Sequence, residues 1–170
     1  MRGFQLWINL PGRDKMKPAG YQDLEPERIP RVRIGDSEVT VVAGTLAVEG
    51  EVTRTTGPIA ASATEAMYFD LAIAPRSALT LTVPSGHTVL AYVFEGTARI
   101  GGVPVSKSTM ARTGDGDLLV VAATDGAARV LLIGGRPLRE PVVHYGPFVM
   151  NTRAEIEAAV RDFRAGRLTD

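Results

Sequence analysis

The sequence predicts an all-β sandwich or barrel followed by one C-terminal helix, on three observations. Seven short apolar or alternating segments follow one another between about residues 37 and 134. Glycine- and proline-rich turns separate them, among them Pro84-Ser85-Gly86, Glu95-Gly96, Gly101-Gly102 and Gly114-Asp115-Gly116. The only helix-period pattern stands near the end of the chain, behind a capping box. Many short strands at roughly regular spacing with turn chemistry between them are the signature of such an architecture.

The elements follow in chain order. Phe4, Leu6, Ile8 and Leu10 alternate with Gln5, Trp7 and Asn9, which predicts a half-buried strand over residues 4–10, stopped by Pro11-Gly12. The next stretch, GRDKMKPAGYQDLEPERIPR, sets Pro18, Pro26 and Pro30 among charges without a consistent period, so an irregular arm is expected. The strand series is SEVTVVA, AMYFDLAI, ALTLTV, HTVLAYVF, TARIG, DLLVVA and ARVLLIG. In AMYFDLAI, Met67, Phe69, Leu71 and Ile73 share one face while Tyr68 and Asp70 share the other, giving one buried face and one wetter one. Thr152-Arg153-Ala154-Glu155 has capping-box spacing, and Ile156, Ala159, Val160 and Phe163 then recur at i, i+3, i+4 and i+7, with Gly166 placed to end the helix. The expected divisions are an N-terminal strand and irregular arm over residues 1–30, a barrel over 31–147 and the helix over 148–170.

Composition narrows function. A 170-residue chain with 45% hydrophobic and 22% charged residues can bury the core of one domain, and no apolar run reaches the roughly 18 residues of a spanning helix. Nineteen basic residues balance nineteen acidic ones without a long block of either sign, so neither a nucleic-acid surface nor a membrane surface is expected. With no cysteine and only two histidines, thiolate chemistry and a three-histidine metal centre are both outside the reach of one copy. The N-terminus lacks a signal-peptide pattern, and a cytoplasmic location is expected.

Three segments carry a family resemblance: RGFQLWINLPGRDKM, GGRPLREPVVHYGPFVMNT and the capped helix behind them. Together they resemble the pirin family of two-domain cupins, in particular its C-terminal cupin with the strand or crossover before it. The resemblance implies a cupin, a double-stranded β-helix or jelly-roll barrel. It also implies a mononuclear iron in the family's N-terminal cupin, held by an H-P-H pair opening a segment that ends in Y-V-L-E-G, plus a later His and Glu. These 170 residues do not include that cupin. Bacterial members resemble quercetin 2,3-dioxygenases, and animal members act as nuclear cofactors of transcription.

The strand TVLAYVFEG mirrors the Y-V-L-E-G strand, and matching from Tyr92, Glu95 and Gly96 puts Thr82 and Pro84 where the two strand histidines would lie. The later His and Glu fall near Arg129 and Leu131. None of these supplies an imidazole or carboxylate. The resemblance therefore implies a metal-free cupin, with iron expected only in the N-terminal cupin.

Other candidates have blander readings. His87 has Ser85 and Val89 where a second imidazole would be needed, and reads as an ordinary turn histidine. His144 reads as a hydrogen-bonded structural residue, with Glu140 and Glu155 as the carboxylates that the fold could bring to it. Gly114-Asp115-Gly116-Asp117 lacks the spacing of a phosphate or calcium loop and reads as a turn. Glu65, Asp70 and Glu95 are not assigned catalytic roles. Thr80, Thr82 and Tyr92 are the candidates to line a cavity, as inward polar groups standing where metal ligands do not.

The functional expectation is a metal-free module with a structural or protein-interaction role, working as a homodimer or beside a metal-bearing cupin. The alternative is one part of an iron-dependent quercetin 2,3-dioxygenase.

Overall fold

The computed structural model describes residues 3–60 and 63–168. Chain contacts divide it into two compact units, one of residues 24–137 and one built from residues 1–23 with 138–170. The strand-rich unit thus ends at 137, and residues 138–147 group with the helix.

The larger unit has two main antiparallel sheets. The six-stranded sheet has the order β1 (Arg31–Ile34), β2 (Ser37–Ala43), β5 (Met67–Ile73), β12 (Ala128–Gly135), β7 (Thr88–Glu95) and β10 (Thr109–Arg112). The four-stranded sheet has the order β6 (Ala78–Thr82), β11 (Leu118–Ala123), β8 (Thr97–Ile100) and β9 (Val103–Ser106). A short ribbon joins β3 (Thr45–Leu46) to β4 (Thr55–Thr56). Alternation explains the layering: Met67, Phe69, Leu71 and Ile73 of β5 are buried while Tyr68, Asp70 and Ala72 are half-buried. Val39 and Val41 from β2, Val89, Ala91 and Val93 from β7, and Val130 and Leu132 from β12 join Leu79, Leu81, Ala98, Ile100, Leu119 and Val121 from the second sheet in one buried cluster. That interior is the jelly-roll core.

The smaller unit holds the hairpin β13 (Val143–Tyr145) and β14 (Phe148–Met150), then α1 (Arg153–Arg164). The capping box is complete. Thr152 Oγ1 accepts from Glu155 N at 3.2 Å, and Glu155 Oε2 accepts from Thr152 N at 2.7 Å. Gly166, at φ +69°, ends the helix, and its N–H donates to Phe163 O at 3.1 Å. Ile156 and Ala159 are buried with Met150, while Phe163 is 62% exposed and meets Phe148 edge-on at 5.9 Å.

The expected strand over residues 4–10 is corrected: residues 3–11 carry no strand, and Phe4, Trp7 and Ile8 are exposed. Alternation makes a strand only where a ladder partner accepts it. The arm, in contrast, is irregular as expected, with single 3-10 turns at Gly12–Asp14 and Pro26–Arg28.

Candidate functional site

A concavity of the larger unit opens at one end of the sandwich, where the β6–β7 and β10–β11 connections meet. Backbone bonds fasten that end: Val83 N donates to Asp117 O at 2.8 Å, and Thr113 N donates to Val89 O at 3.0 Å. Pro84 to His87 forms a β-turn closed by His87 N donating to Pro84 O at 3.2 Å. Its third residue needs a positive φ, which Gly86 supplies at +78°. The cavity has about 340 Å³ and is walled by Val83, Val89, Ile100, Val105 and Leu119, with Thr113 and Asp115 at its rim.

His87 also lines this cavity, and its side chain is only 4% exposed. Both ring nitrogens are buried without a hydrogen bond among the described residues. Glu65 Oε2 lies 3.5 Å from Nε2, an ion pair only when the ring is protonated, and Glu65 also faces Arg136 at 3.5 Å. The turn position of His87 is as expected, but its burial was not legible, because nothing local in Pro84-Ser85-Gly86-His87 says which way the ring turns.

The three sequence-derived cavity candidates are not brought together. On β6 the buried positions are Leu79 and Leu81, so Thr80 is half-buried and Thr82 exposed on the opposite face. On β7 the side chains of Val89, Ala91 and Val93 enter the core, and Tyr92 lies half-buried on the other face. The inward polar face is therefore corrected to an inward apolar one, since burying threonines in place of leucines would desolvate hydroxyls.

The positions matching the family's iron ligands do not fit iron. Thr82 is exposed, and Pro84 opens a turn. Arg129 is paired with Asp70 and lies over the Phe94 ring at 5.1 Å, and Leu131 is 3% exposed. A hydroxyl, a saturated prolyl ring, a guanidinium and an isobutyl group give no donor set for a transition metal. Among the described residues, no three His, Asp or Glu side chains gather closely enough to hold a metal ion. On the same outer face, burial and then the Asp70 carboxylate push the Tyr68 hydroxyl above the usual phenol range.

In the smaller unit, His144 is exposed on β13 and makes no hydrogen bond among the described residues, correcting its expected structural role. Glu140 and Glu155 serve other partners. Glu140 Oε2 accepts from Gly12 N and from Asn151 Nδ2, each at 2.7 Å, while Glu155 is taken up by the capping box. Between β13 and α1 runs a groove of about 600 Å³ with Val143, Ile156 and Val160 at its base and Arg153, Arg161 and Arg164 among its walls.

Two antiparallel sheets enclosing one apolar core with a cavity at one end define a cupin-type barrel, and the positions that the resemblance matches to its ligands hold no imidazole or carboxylate. The chain belongs to the pirin family: residues 68–169 match the Pirin C-terminal cupin domain. A Pseudomonas aeruginosa protein named "Putative quercetin 2,3-dioxygenase" is 44% identical over 99% of this chain and 59% of its own length. Human pirin is 36% identical over 95% of this chain and 55% of its own. The crystal structure of quercetin 2,3-dioxygenase from Acinetobacter baumannii superposes with a TM-score of 0.84 at 34% identity, covering 95% of this chain and 55% of that one. The chain thus spans a little over half the length of these relatives. No helix among the described residues is long and apolar enough to cross a membrane.

Proposed function

We propose that this chain is a metal-free cupin module of pirin type with a structural or protein-interaction role, acting in the cytoplasm as a homodimer or beside a metal-bearing cupin. The observation that supports this reading is the donor set: the resemblance matches the ligands to Thr82, Pro84 and positions near Arg129 and Leu131, none of them an imidazole or carboxylate, and two histidines in the chain cannot replace them. The charge balance supports a partner that is neither nucleic acid nor membrane.

A second reading has a specific support. Relatives that extend well beyond this chain include one named for quercetin 2,3-dioxygenation. On that reading the chain is the non-metal part of an iron-dependent flavonol oxygenase, and iron in a partner cupin supplies the oxygen chemistry. One experiment separates the two. Elemental analysis of the purified chain is expected to find no stoichiometric iron, nickel, copper or zinc, and quercetin is expected to persist when iron(II) is added to the chain alone. Quercetin consumption that appears only with a metal-bearing cupin partner supports the second reading. Near one metal per chain, or turnover by the chain alone, overturns the module.

A further inference from the structure

We propose that the groove between β13 and α1 binds an extended acidic peptide segment of a partner protein, added as a strand to the free edge of β13. The proposal rests on the protein-interaction role above and gives the chemistry of the partner.

Among the described residues β13 pairs on one side only, with β14. The two-residue turn Gly146-Pro147 makes Tyr145 and Phe148 the hydrogen-bonded pair that closes the hairpin, and Val143 and Met150 the next such pair. Between them the backbone N–H and C=O of His144 point away from β14, and neither has a partner among the described residues. His144 lines the groove. An edge of this kind accepts an extended peptide through main-chain hydrogen bonds, while the adjoining surface selects its side chains.

The helix supplies that surface. Ile156 and Val160, with Val143 from the strand, give an apolar floor. Arg153 is shared with Glu157 at 3.4 Å, whereas Arg161 and Arg164 form no ion pair among the described residues. Three guanidinium groups against one carboxylate leave the groove positive, although the chain as a whole is neutral. From Arg153 to Arg164 the helix advances about 16–17 Å at 1.5 Å per residue. In an extended peptide, the residues two positions either side of a central one share its face and stand about 13–14 Å apart, a difference that the long arginine side chains span. The occupant that fits carries an apolar side chain over Val160 and a carboxylate two residues away on each side.

The test uses the full chain and the acetylated, amidated peptide Glu-Ser-Val-Ser-Glu, whose symmetry suits either strand direction. The backbone amide of His144 and the Nε–Hε groups of Arg161 and Arg164 report binding by ¹H–¹⁵N correlation. All three are expected to shift saturably, with an affinity that falls as salt rises. A counterpart with lysine for both glutamates should not bind. Of two N-methylated versions, one blocked at the serines and the other at the valine and glutamates, one should lose binding and the other keep it, because only alternate nitrogens face β13. Arg161→Gln combined with Arg164→Gln should weaken binding about tenfold, as two exposed ion pairs give. Equal binding of the lysine counterpart or of both methylated versions overturns the proposal, as does undiminished binding in the double variant or the absence of a saturable shift. So does protection of the His144 amide from exchange in the chain alone, which would give the edge to a second copy. None of these outcomes touches metal content or quercetin turnover, so the strand site and the module reading fail separately.

Discussion

The side-chain amide of Asn151 donates to Glu140 Oε2 at 2.7 Å, and the same oxygen takes the backbone N–H of Gly12 at 2.7 Å. One carboxylate oxygen thereby ties three separate stretches of the smaller unit. The approach is close: a Cβ at Gly12 would stand 3.0 Å from Asn151 Nδ2.

These bonds have a pH signature. The Asn151 bond first, and the Gly12 N–H second, hold the Glu140 carboxyl below its usual range. A carboxylate depressed in the folded state contributes stability that is present above its ordinary value and lost as pH falls through the lowered one. The Gly12 amide proton shift should therefore titrate at a pH below that of an ordinary glutamate, and Glu140→Gln should remove the transition. A Gly12 titration at the ordinary glutamate value would show that the tie does not persist in solution.

Thr152→Ala removes the side-chain acceptor for Glu155 N and should cost about 1 kcal/mol, the usual loss for an N-cap threonine. Denaturant unfolding followed by far-ultraviolet circular dichroism measures it. Thr152→Ser, which keeps the acceptor, should retain most of the stability, and an equal loss in both would assign the effect to the methyl group instead.

Gly96 closes the TVLAYVFEG strand, which mirrors the family's Y-V-L-E-G segment. Its φ is +70°, and a Cβ there would lie 2.2 Å from Ala127 O, a backbone atom of the neighbouring connection. Gly96→Ala should destabilise the chain by more than the roughly 1–2 kcal/mol that the left-handed conformation alone costs. Thermal unfolding of Gly96→Ala beside Gly101→Ala, whose Cβ meets nothing within 4 Å at a φ of +55°, separates the clash from the dihedral.

Self-association should be measurable with Trp7, the only tryptophan, which is 71% exposed. Burying a side chain of Leu or Phe size is worth about 1.5–3 kcal/mol. Trp7, Ile8 and Phe163 are three such groups to set against an association cost of about 4–15 kcal/mol. Light scattering after size exclusion at micromolar concentration is expected to give a dimer mass, with Trp7 emission shifting to shorter wavelength as concentration rises. A monomer mass with unchanged emission would count against the dimer.

Legibility in the sequence followed contrast. Strand β5 places Met67, Phe69, Leu71 and Ile73 at every second position against Tyr68, Asp70 and Ala72, so its buried face could be read directly, whereas in β7 Leu90, Tyr92 and Phe94 are as large as the buried Val89, Ala91 and Val93 and hide the choice of face. The helix announced itself through Thr152 and Glu155, whose partnership is local. Strands β9 and β10 escaped notice because each is four residues long and most of their residues are exposed. Residues 4–10 alternate well and still form no strand, because periodicity describes a face and pairing requires a neighbour. Thr80 and Thr82 were legible as a polar face, but an interior role for them required a hollow, hydrated barrel, whereas Leu79 and Leu81 fill it. His87 shows the opposite limit, since its burial depends on residues from both sheets that lie far from it in the chain.

The bond between Gly12 and Glu140 spans 128 residues. On the ribosome Gly12 is made before its carboxylate partner, which follows only after the whole of residues 24–137. The strand-rich unit, continuous in sequence, is therefore free to fold while Gly12 still waits for Glu140 and Asn151. Synthesis order thus holds the tie between Gly12 and Glu140 open until the strand-rich unit is complete.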